Sequence, residues 1–358
     1  MAGMYSERLI VRNFGPITDL DIEIRPLTLF IGTQGSGKST VAKLLAICRN
    51  AEWWQQVQTD AEADELMKPF FGFAIDEYFQ DDSFFSYTLD SHTVKYEEGQ
   101  FKVETDTLAK DNNILYILAE RNLVGNLSES LASMLTAKVP LLDPLMEYMS
   151  WFEKARFKLV PYNIPFFGVS FVKKGGRYRV ELTGKGKDLP LKATSSGLQS
   201  AIPMLMIIDY ALREEGYNSF VIEEPEQNLF PENQHEVLGF ITSKFWEKKN
   251  RQFIITTHSP YLLSSLNVLM LAYKLHQYEE IREQVDEIVI PGFTVNPDNV
   301  AAYSLNPNDE DGIYCKSLIS EKTGMISVNE LDTASIYIGD EFDRLYRLYV
   351  KIIKSKNK

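Results

Sequence analysis

Residues Gly32-Thr33-Gln34-Gly35-Ser36-Gly37-Lys38-Ser39-Thr40 carry the pattern Gly-x-x-x-x-Gly-Lys-Ser. That spacing suits the binding of a nucleoside triphosphate, because backbone N–H groups must reach the phosphate oxygens. Gly32, Gly35 and Gly37 remove the Cβ atoms that would keep the ligand away. Lys38 supplies a point charge for the β- and γ-phosphates, and the Ser39 hydroxyl suits Mg²⁺. Ser36 and Thr40 complete the loop, and the helix starting at Lys38 offers its positive end to the anion. A Gly/Ser-rich turn that matches by accident is the competing reading, opposed by the apolar strand before it and the helix formers after it.

Two further clusters suit the same chemistry. Phe220-Val221-Ile222 ends in Glu223-Glu224. An acid at the carboxyl end of a strand can hold hydrated Mg²⁺, and the next carboxylate can orient or deprotonate the attacking water. Glu223 is assigned to the metal and Glu224 to the base; a solvated acidic strand end is the plain alternative. Phe253-Ile254-Ile255 leads likewise to Thr257-His258-Ser259-Pro260. His258 there can reach the γ-phosphate or the water, where a structural hydrogen-bonded histidine is the alternative.

Ser195-Ser196-Gly197-Leu198-Gln199 opens a helix whose apolar residues Leu198, Ile202, Leu205, Ile208 and Leu212 fall at helical spacing. Hydroxyls and free N–H groups at a helix start make a second anion site. One triphosphate has little use for two phosphate sites of a single fold. The economical assignment is that Ser195, Ser196, Gly197 and Gln199 cap a nucleotide held by another copy; a simple capping serine is the alternative.

The elements that must position these residues follow from periodicity. Leu9 and Val11, then Leu20, Ile22 and Ile24, alternate as two strands about Gly15-Pro16, and 27–31 reads as a buried strand. A helix is expected from Lys38 to about Gln58, a small meander within 76–106, a strand at 114–118 and helix over 128–158. A hairpin, 167–172 and 178–182, turns at Gly175-Gly176. Helix 197–213, strand 220–222, helix 231–248, strand 253–257 and a helix from 260 then alternate, as in a parallel sheet covered by helices. A final amphipathic helix, 340–355, is expected to dock on the core. The chain divides into a first core part (1–60), an inserted helical and β subdomain (61–165), a second core part (166–277) and a C-terminal extension (278–358).

In this order, the four motifs resemble those of the ABC/SMC-like ATPase superfamily within the AAA ATPases, whose heads sandwich two ATP molecules head-to-tail. Pro225 and the following Asn228-Leu229-Phe230-Pro231 resemble the segment that lies along a dimer partner. Ser195 and Leu198 depart from that superfamily's Leu-Ser-Gly-Gly-Gln signature. Ser-Ser-Gly-Leu-Gln with Glu-Glu-Pro-Glu-Gln-Asn-Leu-Phe-Pro and Thr-Thr-His-Ser-Pro resembles the ATPase part of OLD-type nucleases and the stand-alone ATPases of the Septu and PARIS anti-phage systems. The likeness covers about residues 4–60 and 165–275. It implies an α/β, ABC-type ATPase head, a mixed sheet flanked by helices, with an α/β insert and a helical C-terminal end. It also implies ATP and Mg²⁺ as cofactors, a homodimer capable of building further, and control of a separately encoded nuclease or toxin in anti-phage defence. Tyr116 to Arg121 resembles a segment near the Q-loop of such ATPases, which leaves Glu120 and Arg121 between nucleotide sensing and a surface ion pair.

Bulk properties narrow the class. The chain has 358 residues, 44% hydrophobic and 24% charged, with a net charge of −13. No apolar run reaches the roughly 18 residues of a membrane span. No basic segment followed by an apolar core opens the chain, and Cys48 and Cys315 lack metal-ligand spacing, as expected in the cytoplasm. No nuclease motif is recognisable. Between Lys173 and Lys192 seven basic residues face only Glu181 and Asp188, a local excess that could meet DNA or an acidic partner. Three rivals stay open: a RecF-type DNA-repair ATPase, a transporter's nucleotide-binding subunit, and a scaffold that binds ATP without hydrolysing it.

Overall fold

The computed structural model describes residues 7–57, 63–105, 114–127, 141–247, 251–306 and 311–327. Three sheets organise them. The first has the order β2 (Ile17–Ile24), β1 (Glu7–Phe14), β4 (Phe84–Leu89), β5 (His92–Glu97), β6 (Gln100–Glu104), antiparallel throughout. The central sheet has the order β15 (Cys315–Ser317), β14 (Val300–Leu305), β3 (Leu27–Gly32), β13 (Gln252–Thr257), β12 (Ser219–Glu223), β7 (Ile114–Ile117). All its neighbours are parallel except β14 and β15. The third, β8 (Tyr162–Ile164), β9 (Val169–Lys174), β10 (Arg177–Leu182) and β11 (Asp188–Leu189), contains the predicted hairpin.

Burial explains the patterns. β1 and β2 alternate buried and exposed positions, whereas β12 is buried at every residue because helices cover both faces of the parallel core. The helix Lys38–Arg49 is buried at ten positions and touches β13, β12 and β7 on one side and β4 on the other. At its far end the buried Arg49–Glu7 pair, 3.1 Å apart, ties it to β1, and Tyr87 donates to the same carboxylate at 2.8 Å.

The expected α/β class, a mixed sheet flanked by helices, is what the chain builds. Details differ. The helix expected to run from Lys38 to Gln58 breaks at Asn50, whose side chain accepts from the Trp53 N–H at 3.1 Å and so caps a second helix, Ala51–Val57. Residues 61–165 supply β4–β6 to the sheet of β1 and β2, and β7 to the central sheet. In the C-terminal stretch no strand was expected, yet β14 lies parallel beside β3, because its buried Val300, Ala302 and Leu305 complete the core next to the strand that leads into the glycine-rich loop. The helical reading of 128–142 falls largely outside the described residues, which resume with the helix Asp143–Leu159; the expected helix over 340–355 lies outside them altogether. No described helix is long and apolar enough to cross a membrane.

Phe220 and Phe253 face each other across β12 and β13, stacked with centroids 5.1 Å apart and both fully buried. Phe253→Ala is expected to cost about 3–5 kcal/mol of stability, the usual price of emptying such a site. Denaturant unfolding checks it; a loss below about 1 kcal/mol would mean that the site collapses around the missing ring.

Candidate functional site

Parallel pairing brings the predicted residues to one edge. Ile31 is level with Thr257 and Thr256 with Glu223, so Gly32, His258 and the acidic pair leave the sheet at the same height. Ligands of open α/β sheets bind outside the carboxyl ends of strands. There a cavity of about 340 Å³ is lined by Gly35, Ser36, Gly37, Lys38, Ser39, Thr40, Glu223, Glu224 and His258 together with residues 118–120.

The loop has the shape that phosphate binding needs. Gly37 has φ 90°, and a Cβ there would lie 2.4 Å from the Tyr314 hydroxyl. Gly32 is not in the lining, but its Cβ would strike the Leu305 carbonyl at 2.3 Å, so the loop can leave β3 only through glycine. Tyr314 donates to the Ser36 carbonyl at 2.6 Å, which buttresses the loop from the C-terminal stretch. The Lys38 amine sits over the loop, donating to the carbonyls of Gly32 and Thr33 at 2.9 and 2.8 Å.

Burial lowers the Lys38 amine from 10.5 to about 8, against the raising pull of Glu224, Glu226 and Glu223. The unfolded chain therefore binds more protons between about 8 and 10.5, and the free protein gains stability as pH rises through that window. Phosphates favour the charged amine, so nucleotide binding without metal is expected to weaken over the same interval. Calorimetric titration across it, with Lys38→Met as a weak and flat control, checks this. A flat wild-type profile would remove Lys38 from phosphate contact.

Glu223 is buried, and its Oε2 accepts from the Ala119 N–H at 3.2 Å. Burial raises its pKa, opposed by the neighbouring Ser39 and Tyr116 hydroxyls and by that N–H. Its Oε1 has no hydrogen-bond partner, although buried. An orphaned carboxylate oxygen beside the Ser39 hydroxyl, facing a glycine-lined cradle, fits a hydrated divalent cation. No group of three or more His, Cys, Asp or Glu side chains that could together hold a metal ion occurs among the described residues, so the remaining metal ligands would be water and phosphate oxygens.

Glu224 has φ 44°, a conformation uncommon for a residue with a Cβ. Its N–H bonds the Thr256 carbonyl at 2.8 Å, and its carboxylate lies 3.4 Å from His258 Nε2. The turn thus aims Glu224 and His258 at the same space. Glu226 was not singled out from the sequence. Its buried carboxylate accepts from Thr257 Oγ1 at 2.6 Å and from the His258 N–H at 3.0 Å, which anchors the histidine's backbone. A third acid in one short run was its only signal; Tyr314, 278 positions from Ser36, had none.

The signature stretch stands apart. Ser195, Ser196, Gly197 and Gln199 do not line the cavity of their own protomer. Ser195 caps the helix Ser196–Glu214, accepting from the Leu198 N–H at 3.4 Å, and both serines are exposed. Gln199 turns back to the Thr194 carbonyl at 2.8 Å. Gly197 is needed because a Cβ would meet the Asn228 carbonyl at 2.6 Å, which packs the signature against the segment following the acidic pair.

One other reading changes. A surface ion pair for Arg121 is excluded, since the side chain is fully buried. Glu120 lines the cavity. In the basic hairpin, Lys174 pairs with Glu181 at 3.0 Å and Arg179 with Asp188 at 3.5 Å, the two acids already set against the seven basic residues, so the net excess read from the sequence stands.

The AAA ATPase domain family matches this chain at residues 4–136 and 121–263. An OLD nuclease of Thermus scotoductus (strain ATCC 700910 / SA-01) is 22% identical over 315 residues, covering 71% of this chain; the chain spans 59% of that relative's length. Among solved structures, the SMC head domain from Thermotoga maritima is similar with a TM-score of 0.39 at 14% identity, over 73% of this chain and 92% of that one. A Smc head with an extended coiled coil, bound to the C-terminal domain of ScpA derived from Pyrococcus furiosus, gives 0.44 at 12% identity, over 95% and 99%.

Proposed function

Because this chain belongs to the AAA ATPase domain family, we propose that it is of the ABC/SMC-like, OLD-related kind and hydrolyses ATP as a head-to-tail homodimer. The observation that carries this reading is the exposed pair Ser195 and Ser196, which open a helix start outside their own protomer's cavity. That placement supports a site completed by the partner subunit's Ser196 over the γ-phosphate.

Within one protomer the roles divide by position. Lys38 and the N–H groups of the loop hold the β- and γ-phosphates. Ser39 and Glu223 would hold Mg²⁺, which supplies charge neutralisation on the phosphoryl group when bound. Glu224 orients the attacking water and takes its proton; His258 senses the γ-phosphate from beside that carboxylate. Hydrolysis removes the contacts that close the dimer, so the cycle is a two-state switch.

We assign the switch to the control of a separately encoded effector, a nuclease or toxin, in cytoplasmic anti-phage defence. The matched relative is called a nuclease, and this chain spans only part of its length. The test measures phosphate release and particle mass together, with and without ATP and Mg²⁺, for the wild type, Glu224→Gln and Ser196→Arg. A particle whose mass ignores ATP while turnover proceeds would refute the shared site.

A further inference from the structure

Arg121 has no part in the reading above, yet it is the most deeply buried charge beside the cavity. It follows the edge strand β7, just after Leu118, Ala119 and Glu120 of the cavity wall. Its Nη1 donates to the Leu118 carbonyl at 3.1 Å and to the Glu223 carbonyl, and its Nη2 donates to the Glu224 carbonyl. One guanidinium therefore holds the backbone of the proposed metal acid and of the proposed base at once. Burying such a group is costly, and an apolar residue of the same length would fill the space without that cost.

What the guanidinium adds is direction. Glu224 occupies a left-handed conformation, and residues so held persist only where their surroundings over-determine them. The Glu224 N–H is tied to Thr256, and its carbonyl also accepts from the Gln227 N–H at 3.0 Å. The carbonyls of residues 223 and 224 converge on the rigid fork of Arg121, a geometry a lysine cannot reproduce. The fork thereby couples the cavity wall at 118–120 to the acidic turn.

We propose that Arg121 is a positioning residue that fixes where the Glu223 and Glu224 carboxylates point at the edge of the cavity. The inference rests on the ATPase reading for its consequence in turnover, but its geometric content concerns the metal acid as well, and that can be read without hydrolysis.

The experiment uses the full chain with Arg121→Met and Arg121→Lys. Affinity for ATP is measured in Mg²⁺ and in EDTA, beside melting temperature, kcat and KM. The expected result is an unchanged affinity in EDTA, a loss of about 10–100-fold in the tightening that Mg²⁺ confers, and a kcat lower by about 10²-fold, with KM for Mg²⁺-ATP rising by the factor of tightening lost. A drop in melting temperature with equal affinity losses in Mg²⁺ and EDTA would show a merely structural arginine and overturn the proposal. If Arg121→Met fails to fold, Arg121→Lys carries the test, because it keeps the charge and loses only the fork. A wild type that binds Mg²⁺-ATP more tightly than ATP but never turns over would sink the hydrolase reading and leave the bracing test standing. A wild type indifferent to Mg²⁺ would overturn the bracing role together with that of Glu223.

Discussion

Glu224→Gln is expected to lower ATP turnover by about 10²–10⁴-fold while leaving ATP binding intact, the range attributed to a positioned general base. The substitution keeps the size of the side chain and its ability to accept one hydrogen bond, so the turn at φ 44° and the tie to Thr256 are preserved. Only the proton-accepting step is lost. Because the γ-phosphate then stays in place, the variant should accumulate as an ATP-bound dimer, visible as a doubled mass by light scattering. That trapped dimer is also the bait for the effector. Equal and negligible phosphate release from wild type and variant would remove the hydrolase and favour a scaffold that uses ATP only to assemble.

Ser196→Arg separates the two ways in which this chain meets ATP. The residue is exposed at the first position of its helix and away from the cavity, so the fold and the protomer's own nucleotide site have little stake in it. Surface changes of this kind stay within about 0.5 kcal/mol, with a few tenths more for a cation at a helix N-terminus. ATP affinity of the protomer is therefore expected to match the wild type. The bulk and charge of Arg at a helix start that must approach a partner's phosphate should abolish the dimer, and turnover should fall by about 10²–10³-fold, the scale of losing preorganised donors from a transition state. A variant that cannot bind ATP at all would place Ser196 in its own protomer's site and overturn the cross-subunit assignment.

Much of the site was legible in the sequence because its chemistry demands local patterns. Glycines at 32, 35 and 37 and the amine at 38 must lie in one loop, and an acidic pair ending an apolar strand announces itself. The strands read from apolar runs pair as expected, since burial on both faces leaves no alternation to misread. Where the reading fell short, distant contacts decided. Asn50 broke a helix by capping the next one. β14 joined the core sheet beside β3 from 273 positions away in register, a pairing with no local trace.

The sequence by itself determined that the core would be an α/β sheet, and it named the residues proposed for a triphosphate and the acids proposed for metal and water. Both readings follow from spacing, because a glycine-rich loop and a buried strand are each built from neighbours in the chain. Only the tertiary structure decided placement and support. Parallel pairing brought 32, 223 and 258 to one edge, while the helix start at Ser195 and Ser196 was left facing outward. Folding buried Arg121 beneath the acidic turn and brought Tyr314 under the loop. These are contacts between groups far apart in sequence, set by packing and by the need to satisfy buried polar groups, and no local pattern encodes them.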